Sequence, residues 1–147
     1  MKKYVTALMT IALVSLFIMQ TRNARAEGDE GGAQNQPQAV KEVGAEDAHV
    51  LIEEKKGSPD FIIIDVRTAG EYSGGHIEDS VNIDYRSESF KDEIGKLDRS
   101  KTYLVHCRSG KRSDAAVKIM EEMGFTDIYE MNGGILGWQD AGFPVTK

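Results

Sequence analysis

Two short runs of mostly apolar residues, FIIID at 61–65 and TYLVH at 102–106, constrain the fold of this chain more than any other feature. Each run has the length of a strand, and turn residues bound the first of them. Strands that are apolar on both sides pack between two layers, as in parallel sheets covered on both faces. The two runs therefore predict a central sheet with helices above and below it.

The segments around these strands show helical spacing. The further predicted elements are helices at 45–56, 90–97, 113–123 and 133–141, and weaker strands at 80–83 and 128–130. The third helix is the clearest, because its apolar residues follow the i, i+3, i+4, i+7 spacing of a core-facing helix. Alternating strands and helices indicate an α/β domain with a largely parallel sheet.

The first 26 residues are typical of a secretory signal peptide. Lys2 and Lys3 precede an uncharged, mostly apolar run at 4–19, and Ala24-Arg25-Ala26 matches the small-x-small pattern of a cleavage site. As a helix the run would reach about 24 Å, less than a hydrocarbon layer of about 30 Å. We therefore expect export to the periplasm or another outside compartment, with cleavage after Ala26 and no stable membrane anchor.

The segment at 27–39, EGDEGGAQNQPQA, is acidic and rich in Gly and Gln, with no large apolar residue. Such a segment does not bury enough surface to offset its ordering entropy, so we expect a disordered linker. The remaining residues, 40–147, have the length and hydrophobic content of one domain.

Cleavage would remove four of the 18 basic residues and none of the 24 acidic ones, so the net charge would change from −6 to −10. A protein this acidic repels phosphates, which argues against a nucleic-acid partner. It leaves room for a small, local anion site.

The single cysteine, Cys107, lies in the sequence HCRSGKRS at 106–113, between a predicted strand and a predicted helix. Ligands of α/β sheets collect at this kind of junction. Gly110 would let the loop amides turn inward, and the helix N-terminus would add positive potential. Five basic residues and no acidic one lie between positions 99 and 113: Arg99, Lys101, Arg108, Lys111 and Arg112.

A free cysteine titrates near about 8.5, and helix ends and cations lower that value. Cys107 is therefore predicted to be a nucleophile. The alternative is a small buried hydrophobic residue, the commoner role of a single cysteine. A structural thiol would need neither the cations nor the glycine loop, and burying them against it would cost free energy.

Three segments in the same order resemble the rhodanese family of sulfurtransferases. They are CRSGKR at 107–112, DVRTAGEYSGGHIEDSVNI at 65–83 and NGGILGWQDAGFPV at 132–145. The resemblance implies a rhodanese-like domain at 40–147, with a central, mostly parallel five-stranded sheet and helices on both faces. It also implies transfer of a sulfane sulfur from thiosulfate or a similar anionic donor through a Cys107 persulfide.

The resemblance requires no metal or organic cofactor, and the acceptor would be a small thiol, cyanide or a protein. The candidate substrate-binding residues are Arg67, Arg108, Ser109, Gly110, Lys111 and Arg112. Arg108 and Lys111 would meet the donor's oxygens, whereas Arg112 would brace the loop.

Asp65 and His76 are expected to support the site. Asp65 ends a buried strand and needs a partner, for which a basic loop residue such as Arg112 is the natural candidate. Arg67 either contacts substrate at the pocket rim or pairs with Glu71 or another acid.

The histidines give little sign of direct catalysis. Adjacent residues in a strand point to opposite faces, so His106 is badly placed to be the base of Cys107 and is expected in the core. His49 is expected on a helix surface. Three histidines and one cysteine without ligand spacing make a metal site improbable.

Two other classes of function remain open. Related dual-specificity phosphatases have five residues between their Cys and Arg, whereas Cys107 and Arg112 are separated by four. The shorter loop favours a sulfur substrate over a phosphoryl group, which makes a cysteine-dependent phosphatase or arsenate reductase the second choice. The third is a non-enzymatic module that carries persulfide or binds oxyanions.

Overall fold

Strands and helices alternate along residues 40–147, the part of the chain that the computed structural model describes. The strands are β1 (Val40–Val43), β2 (Phe61–Asp65), β3 (Val81–Asn82), β4 (Thr102–His106) and β5 (Ile128–Met131). The helices are α1 (Ala45–Glu54), α2 (Ala69–Ser73), α3 (Phe90–Gly95), α4 (Lys111–Glu122) and α5 (Gly134–Asp140). All strand pairs are parallel, in the order β1-β5-β4-β2-β3, so the predicted five-stranded α/β fold is confirmed.

Apolar side chains leave the sheet on both faces and form two cores. On one face Ile64 and Val105 belong to a cluster that includes residues of α3 and α4. On the other face Ile63 and Leu104 belong to a cluster that includes Ala48 of α1 and Trp138 of α5. The alternation explains why β2 and β4 are continuously apolar in sequence: both of their faces are covered.

The register of the three central strands brings the candidate site together. Asp65 at the end of β2 lies opposite His106 at the end of β4, and Val105 lies opposite Glu130 of β5. The carboxyl ends of parallel strands share one edge of the sheet, where ligands bind in α/β proteins. Cys107, the residue after β4, therefore lies at this edge.

Two elements are absent from the sequence prediction, and one begins earlier than expected. The sequence VKEV of β1 has two exposed charged residues, and it becomes a strand by pairing with β5. The five-residue helix α2 is too short to show a periodic pattern. Helix α4 begins at Lys111 instead of residue 113, because Gly110 turns the chain at a φ of 102°.

The predicted signal peptide (1–26) and linker (27–39) lie outside the described residues, so both stay predictions. Within 40–147, no helix combines the length and apolar character needed to cross a membrane.

Candidate active site

The Cys107 side chain lies inside the turn between β4 and α4. Its sulfur accepts a hydrogen bond from the Gly110 amide at 3.2 Å and one from the Ser113 hydroxyl at 3.7 Å. The positive φ of Gly110 folds the loop tightly enough for its own amide to reach the sulfur. The expected ring of inward-pointing donors is therefore present around Cys107.

Two opposing effects act on the pKa of Cys107. Burial raises it, since the side chain is only 1% exposed. Hydrogen bonds from the amides of Ser113, Ser109 and Arg112 and from the Ser113 hydroxyl lower it. The net pKa lies below the ordinary value of a cysteine, so these donors stabilise the thiolate more than burial disfavours it.

The first turn of α5, which follows β5, supports the Cys107 loop from one side. The Ile135 amide donates to the Cys107 carbonyl at 2.9 Å, and the Leu136 amide donates to the Arg108 carbonyl at 3.1 Å. Gly134 makes this approach possible, because a Cβ atom there would lie 2.5 Å from the Cys107 carbonyl oxygen. A side chain at position 134 would push the two loops apart.

An ion pair fixes the opposite side of the loop. The Arg112 guanidinium donates two hydrogen bonds to the Glu71 carboxylate, at 2.7 and 2.8 Å. Glu71 also closes a capping box with Thr68 at the start of α2. The hydrogen bonds from Arg112, helped by those from Thr68, lower the pKa of Glu71 to about 2. Arg112 thus ties the start of α4, directly after the loop, to α2.

Asp65 and Arg67 form a buried ion pair at the carboxyl end of β2. The Asp65 carboxylate accepts bonds from the Arg67 side chain at 2.6 to 3.0 Å and from the Arg67 amide at 2.9 Å. Arg67 also donates to the Gly75 carbonyl at 2.8 Å. The expectation that Arg112 pairs with Asp65 is wrong, because Arg112 is bound to Glu71.

Arg67 does not lie at the pocket rim as a substrate-binding residue would. Its residue exposure is 5%, and its guanidinium is already bound to Asp65 and Gly75. Of the two roles considered from sequence, the structure places Arg67 in the ion pair with another acid. It holds the end of β2 to the segment before β3.

His106 is completely buried and faces Asp65. Its Nε2 atom lies 3.8 Å from the Asp65 carboxylate and has no hydrogen-bond partner among the described residues. Burial lowers the pKa of His106, so the ring is neutral near pH 7. The core position expected for His106 agrees with this placement.

The other site residues divide into exposed and structural groups. Arg108, Ser109 and Lys111 are exposed on the outer side of the loop. His76 exchanges two backbone hydrogen bonds with Thr146 and stacks on Tyr72, which places it in a supporting position. His49 is not a plain surface residue: it is half-buried, with its ring 4.2 Å from that of Phe143.

Four residues important to the geometry did not emerge as site residues from the sequence: Glu71, Ser113, Glu130 and Gly134. The Thr68-x-x-Glu71 spacing is a capping-box signal, but nothing in sequence indicates that Glu71 also binds Arg112. Ser113 and Glu130 meet only because α4 packs on β5. Among residues 40–147, no three His, Cys, Asp or Glu side chains are arranged to hold a metal ion.

The fold and site define a parallel α/β domain with a cysteine whose sulfur accepts hydrogen bonds in the loop between a strand and a helix. Residues 44–141 match the rhodanese-like domain family, and the chain belongs to this family. The resemblance predicted from the three sequence segments is thereby confirmed.

Two curated relatives are sulfurtransferases by name. The chain is 36% identical over 78 residues to the thiosulfate sulfurtransferase GlpE of Pseudomonas savastanoi, covering 53% of this chain and 72% of the relative. It is 33% identical over 98 residues to the thiosulfate:glutathione sulfurtransferase of Saccharomyces cerevisiae, covering 59% and 70%. These relatives support a sulfurtransferase type of function.

Solved structures share the fold. A rhodanese-related protein from Thermoplasma volcanium is 31% identical, with a TM-score of 0.62, over 72% of this chain and 97% of the other. A Rhodopseudomonas palustris protein described as a possible tyrosine phosphatase is 28% identical, with a TM-score of 0.57, over 74% and 86%. The fold thus occurs both in a protein described as rhodanese-related and in one described as a possible tyrosine phosphatase.

Proposed function

We propose that this protein is a sulfurtransferase that moves a sulfane sulfur from thiosulfate or a similar donor to a thiophilic acceptor through a persulfide on Cys107. The observation that carries the proposal is the ring of donors around the sulfur. The Gly110 amide lies 3.2 Å from it, and hydrogen bonds from Ser113, Ser109 and Arg112 hold the Cys107 pKa below its ordinary value in spite of burial. A thiolate is the nucleophile that attack on sulfur requires.

The reaction would proceed in two displacements. In the first, the Cys107 thiolate attacks the outer sulfur of thiosulfate, a new S–S bond forms, and the donor's own S–S bond breaks to release sulfite. In the second, cyanide or an acceptor thiolate attacks the outer persulfide sulfur and Cys107 leaves as a thiolate. The same amides that stabilise the starting thiolate would stabilise the persulfide anion and the leaving thiolate.

The enclosure of Cys107 supports a small substrate. At 1% exposure the sulfur lies inside its loop, and four residues separate it from Arg112. A terminal sulfur atom makes smaller demands on this space than a tetrahedral phosphoryl group with its leaving alcohol. The exposed Arg108 and Lys111 would attract the charged sulfonate end of the donor from outside.

The test is mass spectrometry of the intact protein after incubation with thiosulfate. We expect the protein to gain the mass of one sulfur atom, with release of one sulfite, and to lose the added mass when cyanide or glutathione is supplied. Cys107→Ser should gain nothing. Arg108→Ala, which leaves the sulfur untouched, is the control and should still load, more slowly.

The other two classes of function make different predictions in the same assay. A phosphatase or arsenate reductase would leave the mass unchanged with thiosulfate and would turn over an aryl phosphate or arsenate in a Cys107-dependent reaction. A carrier module would load sulfur but release it to no acceptor. Failure to load with both thiosulfate and mercaptopyruvate, together with cleavage of phosphate esters, would overturn the proposal.

We also propose that the protein acts after export. The basis is the sequence of residues 1–26, with Ala24-Arg25-Ala26 as the cleavage site. N-terminal sequencing of the protein recovered from the periplasm should begin at Glu27. Recovery of a chain that retains residues 1–26 in the membrane fraction would contradict this proposal.

A further inference from the structure

A buried glutamate that the proposed reaction does not use lies behind the Cys107 loop. Glu130 of β5 is 4% exposed, and its Oε1 atom lies 2.9 Å from the Ser113 hydroxyl. The same hydroxyl lies 3.7 Å from the Cys107 sulfur. One short chain of contacts therefore joins Glu130 to Cys107 through Ser113.

The Ser113 hydroxyl has one hydrogen and three acceptors within reach. These acceptors are the Cys107 sulfur, Glu130 Oε1 and the Gly110 carbonyl, the last at 2.9 Å. The ionised carboxylate and the thiolate are both stronger acceptors than the carbonyl, because bonds to charged groups are about twice as strong as neutral ones. An ionised Glu130 and an ionised Cys107 therefore compete for the same hydrogen.

A protonated Glu130 removes this competition. Its own hydroxyl hydrogen is then donated to the Ser113 oxygen, and the thiolate competes for the Ser113 hydrogen only with the neutral Gly110 carbonyl. An ionised Glu130 does the opposite: it accepts the Ser113 hydrogen and adds a second negative charge near the sulfur. We propose that Glu130 is a positioning residue for Cys107, whose carboxyl group controls, through the Ser113 hydroxyl, how well the thiolate is stabilised.

The surroundings of Glu130 allow its proton to come and go. Glu42 from β1 and Asp114 from α4 repel its charge, and Lys118 from α4 attracts it, although Lys118 is bound to Asp114. Burial raises the pKa of Glu130 most, the Ser113 hydroxyl lowers it by less, and the repulsion from Asp114 and Glu42 raises it further. Clefts lined by Glu42, Asp114 and Glu130 open to the surface, so the carboxyl exchanges protons with solvent without passing Cys107.

The charged groups that face Cys107 lie elsewhere. The Arg112 guanidinium from α4 interacts favourably with the thiolate, and its own pKa is raised mainly by the hydrogen bonds to Glu71. Arg112 is held in place by Glu71, and a guanidinium stays protonated, so its charge stays constant while Glu130 changes. The carboxyl group of Glu130, which acts through Ser113, is thus the part of the site whose charge changes with pH. The inference concerns the ionisation of the thiol and holds whatever the substrate is.

The test is the pH dependence of alkylation of Cys107 by iodoacetamide, followed by mass spectrometry, which needs no sulfur donor. The set is the wild type, Glu130→Gln, Ser113→Ala and the double variant. Glu130→Gln is expected to lower the midpoint of the alkylation profile by about half to one pH unit, roughly a 3- to 10-fold gain in thiolate below the midpoint. In the Ser113→Ala background, less than half of this shift should remain.

Glu42→Gln is the matched control, since it removes one neighbouring charge without contacting Ser113. Glu42→Gln should shift the midpoint of the alkylation profile by less than Glu130→Gln does. The proposal is overturned when Glu130→Gln gives no downward shift, or when half or more of the shift persists without the Ser113 hydroxyl. The latter result would mean that Glu130 acts only as a distant charge.

A second measurement uses the wild-type protein and so does not depend on how the variants fold. The carboxyl carbon of Glu130 is titrated by NMR before and after Cys107 is alkylated. Coupling is reciprocal, so loss of the thiolate should lower the pKa of Glu130. An unchanged titration of Glu130 would contradict the proposed link, and would leave the sulfurtransferase proposal standing on its own assay.

Discussion

Two glutamates flank the Cys107 loop, and their environments drive them in opposite directions. Glu71, on the α2 side, receives two hydrogen bonds from Arg112, and its pKa falls to about 2. Glu130, on the β5 side, has the neutral hydroxyl of Ser113 as its one side-chain hydrogen-bond partner among the described residues, and burial raises its pKa. The presence or absence of one guanidinium makes the first a fixed anion and the second an acid that can change state.

The two flanks also hold the loop by different interactions. On the α2 side the link is an ion pair between side chains. On the β5 side the link is made by backbone hydrogen bonds from Ile135 and Leu136, which Gly134 permits. Substitutions that remove one link at a time measure what each contributes.

The largest effect is expected from Gly134→Ala, which would break the backbone link. The added Cβ atom would lie 2.5 Å from the Cys107 carbonyl oxygen, at a φ of 56° that L side chains rarely adopt. We expect a loss of about 2–4 kcal/mol in the free energy of unfolding and a higher pKa of Cys107. Urea unfolding and alkylation measure both. Gly70→Ala, at a position with open space, is the control. Equal stability of the two variants would contradict the close approach.

Glu71→Gln would remove the ion pair on the other flank. We expect a loss of about 1–2 kcal/mol near pH 7, discounted because the Glu71 side chain is 31% exposed. Since its pKa is lowered from 4.5 to about 2, the stabilisation is complete above about pH 5 and is lost as the pH falls toward 2. The difference from wild type should therefore shrink in acid, as measured by urea unfolding at several pH values. Glu121→Gln, on an exposed face of α4, should show no such trend.

Glu130→Gln should show the opposite pH dependence of stability, with a smaller effect. Because the pKa of Glu130 is raised, the protonated carboxyl contributes stability to the folded protein. This contribution is lost as the pH rises through the pKa that Glu130 has in the folded protein. The variant should gain stability relative to wild type at pH 8 and not at pH 4. A constant difference at both pH values would show that folding does not raise the pKa of Glu130.

The smallest effects are expected from the exposed cations, which belong to neither flank. Arg108→Ala and Lys111→Ala should each slow loading by thiosulfate about 2- to 5-fold, since an exposed charge contributes up to about 1 kcal/mol. The effect should decrease with salt, while stability stays within about 0.5 kcal/mol of wild type. Lys91→Ala, which removes an exposed charge on α3, is the control. Loading is measured by mass spectrometry on samples quenched at fixed times. A loss as large as that of Cys107→Ser would contradict this ranking.

Strands β2 and β4 and the position of Cys107 were predictable because their signals are local. The apolar run FIIID becomes β2 at the predicted bounds, and the cysteine follows β4 as expected. The loop's own amides reach the sulfur because Gly110 and the start of α4 are contiguous with it in sequence. The residues that surround the sulfur are neighbours in sequence, so this part of the site could be predicted without a structure.

The residues that hydrogen-bond to the Cys107 loop and to the start of α4 were not predictable, because these bonds depend on contacts between distant segments. Arg112 could bind either Asp65 or Glu71, and only the packing of α2 against the start of α4 decides for Glu71. Glu130 lies 17 positions from Ser113, in a strand where a polar residue gives no sign of its neighbour. The identity of the charged residues was visible, but their pairing was set by tertiary structure.

The measurement that tests the central claim most directly is the pH at which the Cys107 thiol of the wild-type protein is half ionised. It can be followed by the ultraviolet absorbance of the thiolate, with Cys107→Ser as the blank. The hydrogen bonds that lower the Cys107 pKa predict a midpoint below the value of an unperturbed cysteine measured under the same conditions. A midpoint at or above that value would show that burial outweighs the amides and that the loop does not hold a thiolate.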